Sequence, residues 1–255
     1  MSNPQVLTKV YKPSMNVGQI YARPYGSSIS PMPIGNVLEL SLEHEEDVQT
    51  QEDMTQLGGG VHAEVRRIKG IKTKMKIADL NVVNLARAVL GTAQAVDGDT
   101  VTDEPLIVTV GGLLRLKHLG PTGLTLKKGA DPASATPLTS TADYEVRPEG
   151  VFVFQNAAEL QDGDKLWASY TYGDYAVIEA LTAKAAELEL TFGGLNEADS
   201  GNPVLVEIFR ASQGVTKALA LLSKGFGSLD VEGSVMQDPR RTGQGVSKYY
   251  KTSMA

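Results

Sequence analysis

From Val37 the chain alternates between apolar and polar positions. Leu38, Leu40 and Leu42 fall on one side of an extended backbone, and Glu39, Ser41, Glu43, Glu45 and Asp47 on the other. A period of two over this length predicts a half-buried strand. Gly58-Gly59-Gly60 interrupts the pattern, which resumes as Ile71, Thr73, Met75 and Ile77 against Lys72, Lys74 and Lys76. The two runs predict a long hairpin with a glycine-containing loop over residues 49–64. Pairing would set the acids of one strand beside the lysines of the other, at roughly 0.2–1 kcal/mol per cross-strand pair.

The period then changes. Val82, Leu85, Ala86, Val89 and Leu90 recur at helical spacing, with Asn81 placed to cap the start and Gly91 to end the run. Residues 96–176 read as short strands separated by turns such as Gly111-Gly112, Gly120-Pro121, Asp131-Pro132 and Asp162-Gly163, the make-up of a small β-sandwich. Alternation returns in Glu187–Phe192, and further strands are expected over Val204–Phe209, Phe226–Met236 and Val246–Thr252, with a short helix over Thr216–Leu222. Before Val37, five prolines (Pro4, Pro13, Pro24, Pro31 and Pro33) and no sustained period predict an extended arm over residues 1–35. A hairpin and helix precede residues 96–176, and strands follow them. The expected architecture is therefore a mainly β parent domain in two pieces, 1–95 and 177–255, interrupted by a sandwich over 96–176.

Charge sharpens this division. The 255 residues carry a formal net charge of −6. Residues 96–176 hold 12 acids and 6 bases, and the rest holds 18 of each, so the whole imbalance sits in the middle segment. That marks it as a separate, well-solvated module and argues against a nucleic-acid surface on it, because phosphate contacts need Lys and Arg. Cysteine is absent, which removes disulfides, thiol catalysis and thiolate metal sites. No run approaches a membrane span, and Met1–Val10 lacks the apolar core of a signal peptide, so folding in a cytoplasm is expected.

A search for chemistry finds little. The nucleophile-elbow, phosphate-loop and dinucleotide glycine motifs are missing, and His44, His62 and His118 are scattered. Glu197 and Asp199 lie close together, but Asn196-Glu197-Ala198-Asp199-Ser200-Gly201 reads as a turn bonding its own backbone. Lys72, Lys74 and Lys76 read as a solvated strand face balanced by nearby acids, and the clusters at Arg66-Arg67 and Arg240-Arg241 lack interleaved aromatics. No catalytic residue, cofactor or metal is expected.

Three blocks carry a resemblance. The first runs from Ile34-Gly35-Asn36-Val37 through the glycine loop and Glu64–Lys69 to Leu85-Ala86-Arg87-Ala88-Val89-Leu90-Gly91. The second is Phe192-Gly193-Gly194-Leu195-Asn196-Glu197-Ala198-Asp199-Ser200-Gly201 through Arg210, and the third is Val246–Lys251. Together they resemble the major tail tube proteins of long-tailed (siphovirus-like) bacteriophages and related prophages.

The resemblance implies two antiparallel sheets flanked by an α-helix, with hexameric rings whose sheets join into one barrel. The rings stack into a hollow tube through which the genome passes, and residues 96–176 become an immunoglobulin-like decoration. The implied partners are other copies of the chain, the tape measure, tail tip and terminator proteins, and DNA in transit without specific binding. The implied setting is the virion tail, assembled in the host cytoplasm, with no membrane and no enzymatic activity. On this reading Glu39, Glu43, Glu187, Glu189, Asp230 and Glu232 are candidate lumen-facing acids. Asp53, Gly58, Gly59, Gly60 and His62 form a candidate ring-stacking loop, and Tyr11, Tyr21 and Tyr25 mark a candidate inter-subunit arm. A sugar-binding adhesin using Trp167, Tyr170, Tyr172 and Tyr175, a carbohydrate-active enzyme, and a secretion-type tube subunit are the alternatives.

Overall fold

The computed structural model describes residues 13–55, 57–138, 142–222 and 224–255. Strands take up 53% of it and helix 4%, in several antiparallel sheets, so the protein is mainly β. The chain divides into two units, one comprising residues up to Ala93 together with Ile178–Ala255 and the other Gln94–Val177.

The first strand of the first unit, β1 (Asn16–Pro24), lies within the expected arm. Asn16–Arg23 contains no proline, and Ile20 and Ala22 alternate with Gln19, Tyr21 and Arg23, so the run can join a ladder. It pairs with β14 (Glu187–Asn196) from end to end, Asn16 opposite Asn196 and Pro24 opposite Leu188. Gly18 permits the approach, since a Cβ there would lie 2.3 Å from the Gly193 carbonyl oxygen. Proline returns where this ladder ends, and β2 (Met32–Pro33) doubles back beside Tyr21 and Ala22. From Asn16 onward the segment belongs to the sheet, which corrects the arm reading.

The hairpin of β3 (Val37–Glu52) and β4 (Val61–Ile77) is longer than the pattern suggested. Pairing reaches Glu52 opposite Val61, and the Asp53 N–H donates to the Gly60 carbonyl at 2.7 Å. The connecting turn is therefore 53–60 and not 49–64, and His62 sits on a strand. Val48, Val61, Val65 and Ile68 favour extended backbone there without any core to bury them. A β-bulge between Val37 and Glu39 puts Leu38 out of phase, exposed, while Leu40 and Leu42 turn to the core.

Strand β15 (Asn202–Gln213) is where the sheet forks. One edge follows β14. The other is shared by β17 (Tyr250–Met254), opposite Val204–Ile208, and β16 (Leu229–Val235), opposite Ala211–Gln213. β16 continues to β4, giving the order β2-β1-β14-β15-β16-β4-β3 with β17 off the path. The fork lets the sheet fold over its apolar side. Ile20 and Ala22 share a core with Met75, Ile77, Leu188, Leu190, Ile208, Leu229 and Val231, and Leu40 and Leu42 pack on it.

Helix α1 (Val82–Ala88) closes one end, with Leu85 and Ala88 on the same core. The Asn81 side chain accepts from the Asn84 N–H at 2.8 Å, as its capping role predicts. The helix stops at Ala88, three residues before the expected glycine, and Leu90 takes the left-handed turn (φ 48°). Gly91 is needed for a different reason, since a Cβ there would lie 2.6 Å from the Glu179 carbonyl oxygen. Thr216–Leu222 is not helical. The Thr216 hydroxyl donates to the carbonyls of Ala218 and Asp230, 3.0 and 2.9 Å away, and does not cap a helix, while Leu219, Leu221 and Leu222 find no core to cover.

The second unit holds two antiparallel sheets around one core. The larger has β6 (Asp99–Ile107), β12 (Lys165–Tyr172), β8 (Thr122–Lys128) and β9 (Thr136–Leu138) in that order, and the smaller has β10 (Tyr144–Arg147), β11 (Gly150–Val153) and β7 (Leu113–Arg115). Leu106, Leu126 and Leu166 of one sheet meet Leu114, Val151 and Val153 of the other. Where the chain passes from one unit's sequence to the other's, β5 (Thr92–Val96) and β13 (Tyr175–Glu179) pair with each other.

Candidate assembly surfaces

The register of the main sheet decides which acids share a face. Glu187 is opposite Ser212, Ser212 opposite Ser234, Ser234 opposite Lys72, and Lys72 opposite Glu43, so one row crosses five strands. The next rows along are Glu232, Lys74 and Ser41, then Asp230, Lys76 and Glu39. Side chains two apart on a strand share a face, so Glu189 joins Glu187. All six candidate acids thus lie on the side of the sheet away from its core, with lysines interleaved. Lys74 bonds Glu43, Lys72 bonds Glu45 and Lys217 bonds Glu232. The Lys72 hydrogen bond and charge hold the Glu45 carboxyl below its ordinary range. The result is a partly paired charge ladder: lysines hold Glu43, Glu45 and Glu232, while Glu39 and Asp230 make no ion pair among the described residues.

Glu187 and Glu189 are held most tightly. Glu187 accepts from Nε and Nη2 of Arg210, each at 2.8 Å, and Glu189 is gripped by Arg23 and Arg240. Arg240 also bonds Asp238 at 3.0 Å, and Tyr25 donates to Asp238 at 2.8 Å while its ring lies under Arg210 and Arg240. The Arg240 bond, followed by that from Tyr25, pulls the buried Asp238 carboxyl down to about 2. Tyr21, on β1 and bonded to Gln19, and Tyr25, bonded to Asp238, are therefore part of their own folded unit and not of a separate arm, which corrects the arm half of the inter-subunit-arm reading. Tyr11 lies outside the described residues. Sequence reasoning missed Arg23, Arg210 and Asp238, because nothing local brings β1, β14 and the 238–241 turn together.

The hairpin supplies a second surface. Beyond Gly70 its strands leave the core, and Glu46–Glu52 and Val61–Lys69 are exposed on nearly every residue. Seven residues on one strand and nine on the other give a ribbon of ~23–30 Å at about 3.3 Å each. Arg66 bonds Glu64 and Glu46 along it, and the Asp53 carboxylate accepts from the backbone and hydroxyl of Thr55 at the turn. Gly58, Gly59 and Gly60 all take positive φ there.

The third surface is a seam. Strand β3 pairs only with β4 among the described residues, so its other edge is open. It faces β17 across a cleft of about 620 Å³ lined by Val17, Ile20, Leu38, Leu40, Phe192 and Val206, among others. His44 Nε2 and the Tyr250 hydroxyl, 3.1 Å apart, bridge the gap without completing a ladder.

The second unit's aromatics are occupied. Trp167 donates to the Gly129 carbonyl at 3.1 Å, and His118 stacks on Tyr172 at 3.8 Å and contacts the Tyr175 hydroxyl at 2.9 Å. Tyr170 donates to Glu104 at 2.6 Å, and burial, then that bond, raises its pKa. Glu197 and Asp199 sit in a single 3-10 turn, where Asn202 donates to Asp199. No cluster of ligand residues fit for a metal occurs among the described residues, and no helix there is long and apolar enough to cross a membrane. The comparison with curated proteins finds no match. A family model covers residues 13–253, nearly the whole chain, and on that match the protein belongs to the family described as "Protein of unknown function UCP028589".

Proposed function

We propose that this protein is a structural virion subunit that polymerises as stacked hexameric rings into a phage tail tube, the conduit for genome ejection. The observation that carries the reading is the ribbon formed by Glu46–Glu52 and Val61–Lys69, which leaves its own core and is exposed on both faces. A two-stranded ribbon alone in water is marginal, so one of this length calls for a surface to lie against. The open edge of β3 adds to this, because ordinary proteins suppress such edges and closed assemblies consume them. A forked sheet folded over its apolar side, with α1 closing one end, is compatible with the two sheets and flanking helix of tail tubes. Residues 94–177 would then be the external decoration.

The charge ladder suits a conduit for DNA. Each unpaired Lys or Arg on a lumen wall adds a salt-dependent phosphate contact. Here Lys72 and Lys74 are held by Glu45 and Glu43, so the strand would slide past a nearly neutral wall. Tape measure, tail tip and terminator proteins are the expected partners beside further copies. The contacts that engage Trp167, Tyr170, Tyr172 and Tyr175 within their own unit count against the sugar-binding alternative.

Negative-stain electron microscopy over a range of concentrations, with and without the tail-tip complex, tests the reading. Six-fold rings or hollow tubes are expected. A chain that stays monomeric at high concentration and with the tip complex would refute it.

A further inference from the structure

Between α1, residues 183–186 and the end of β15 lies a groove of about 230 Å³. Its walls are mostly apolar, formed by Val83, Ala86, Leu90, Ala93, Ala183 and Ala186. Two polar groups in it lack what they need. Arg87 is half-buried and makes no ion pair or side-chain hydrogen bond among the described residues, and burial with no compensating carboxylate lowers its pKa. Gln213 is 9% exposed, and its Nε2 is buried with no acceptor. A half-buried cation and an orphaned amide donor both cost stability, unlike the many arginines of this unit that hold carboxylates. No Asp or Glu lines the groove, and Lys184 adds a further positive charge.

The complement is found at the ribbon tip. The Glu52 carboxylate makes no ion pair among the described residues, and Met54 and Leu57 beside it are 84% and 108% exposed. An acid flanked by bare apolar side chains matches a cation and an amide donor set in apolar walls.

We infer that the groove is the receptor for the ribbon tip of a second copy, with the Glu52 carboxylate accepting from Arg87 and Gln213 and Met54 and Leu57 filling the apolar walls. The inference rests on the assembly reading above and names the contact within it. It also accounts for the exposed ribbon and the unpartnered groove with one interaction: each removes the other's cost.

The chain has no cysteine, so an introduced pair reports a contact without background. Tagged copies carrying Leu57→Cys are mixed with copies carrying Ala183→Cys and oxidised mildly, with Leu57→Cys against Thr122→Cys on the second unit as the control pair. The expected result is a mixed disulfide at about tenfold or more over the control. Arg87→Glu in the groove copy should lower it about tenfold or more, and Glu52→Lys in the tip copy should restore it. Arg87→Met keeps the fold under test. It removes an unpaired charge, so the melting temperature of the monomer should hold or rise while the cross-link is lost.

A fall in melting temperature with Arg87→Met would mean that Arg87 works within its own copy, and would overturn the inference. Wild-type cross-linking in Arg87→Glu, or rings and tubes with no cross-link above control, would overturn it and leave the tube standing. No assembly of the wild-type chain would remove both.

Discussion

The second unit satisfies its own demands, whereas the first leaves several open. In the second, buried Asp143 accepts from the Ala158 and Glu159 N–H groups, Tyr170 reaches Glu104, and Trp167 reaches Gly129. Its core side chains Val151, Val153 and Leu166 are fully covered. In the first, a ribbon stands clear of the core, β3 has an unused edge and Gln213 lacks an acceptor. Of the 28 exposed large hydrophobic side chains among the described residues, 24 belong to the first unit, which holds about two-thirds of the chain. On the proposed assembly reading, the first unit is therefore the one that other copies would complete. The second, which also carries the surplus negative charge, suits permanent contact with water.

The largest expected effect comes from cutting the ribbon back. Replacing residues 47–67 with a short turn should abolish assembly, as seen by light scattering, and leave the monomer's thermal transition almost unmoved, because these residues touch no core. A large loss of monomer stability would erase the contrast between the units. Next are paired core truncations. Leu166→Ala and Leu229→Ala, each at 0% exposure, should cost about 2–5 kcal/mol apiece. If the second unit is self-sufficient, Leu166→Ala should depress one calorimetric transition and spare assembly, while Leu229→Ala should impair both folding and assembly. The smallest effect is acid sensitivity of the first unit. Asp238 titrates at about 2 when folded, held down by Arg240 and Tyr25, against an ordinary value near 3.8. Its contribution is present in full above about pH 4 and is lost as pH falls toward 2, a loss of up to about 2 kcal/mol. Asp238→Asn should flatten that part of the unfolding profile.

Much of the fold was legible because it is locally encoded. Leu40 and Leu42 against Glu39 and Glu43, and Met75 and Ile77 against Lys74 and Lys76, announced paired strands, and Asn81 announced the helix start. The errors share a cause. Proline density over residues 1–35 masked the proline-free run Asn16–Arg23, whose place in the sheet depends on glycines 175 residues away. Glycine at 58–60 suggested a wide loop, though the strands persist to Glu52 and Val61. Thr216–Leu222 read as a short helix, but no core waits for Leu219, Leu221 and Leu222. The arginines that hold Glu187 and Glu189, and the isolation of Arg87 and Gln213, come from tertiary neighbours and leave no local trace.

The pairing of β5 with β13 has a consequence for heredity. Because the chain leaves for the second unit and returns from it along two strands that pair with each other, Gln94–Val177 interrupts the first unit's sequence at a single place. A recombination event that swapped Gln94–Val177 as one block would leave every strand of the forked sheet uncut. The β5–β13 pair would thus serve as a splice point, at which a lineage could gain, trade or drop the second unit without redesigning the first.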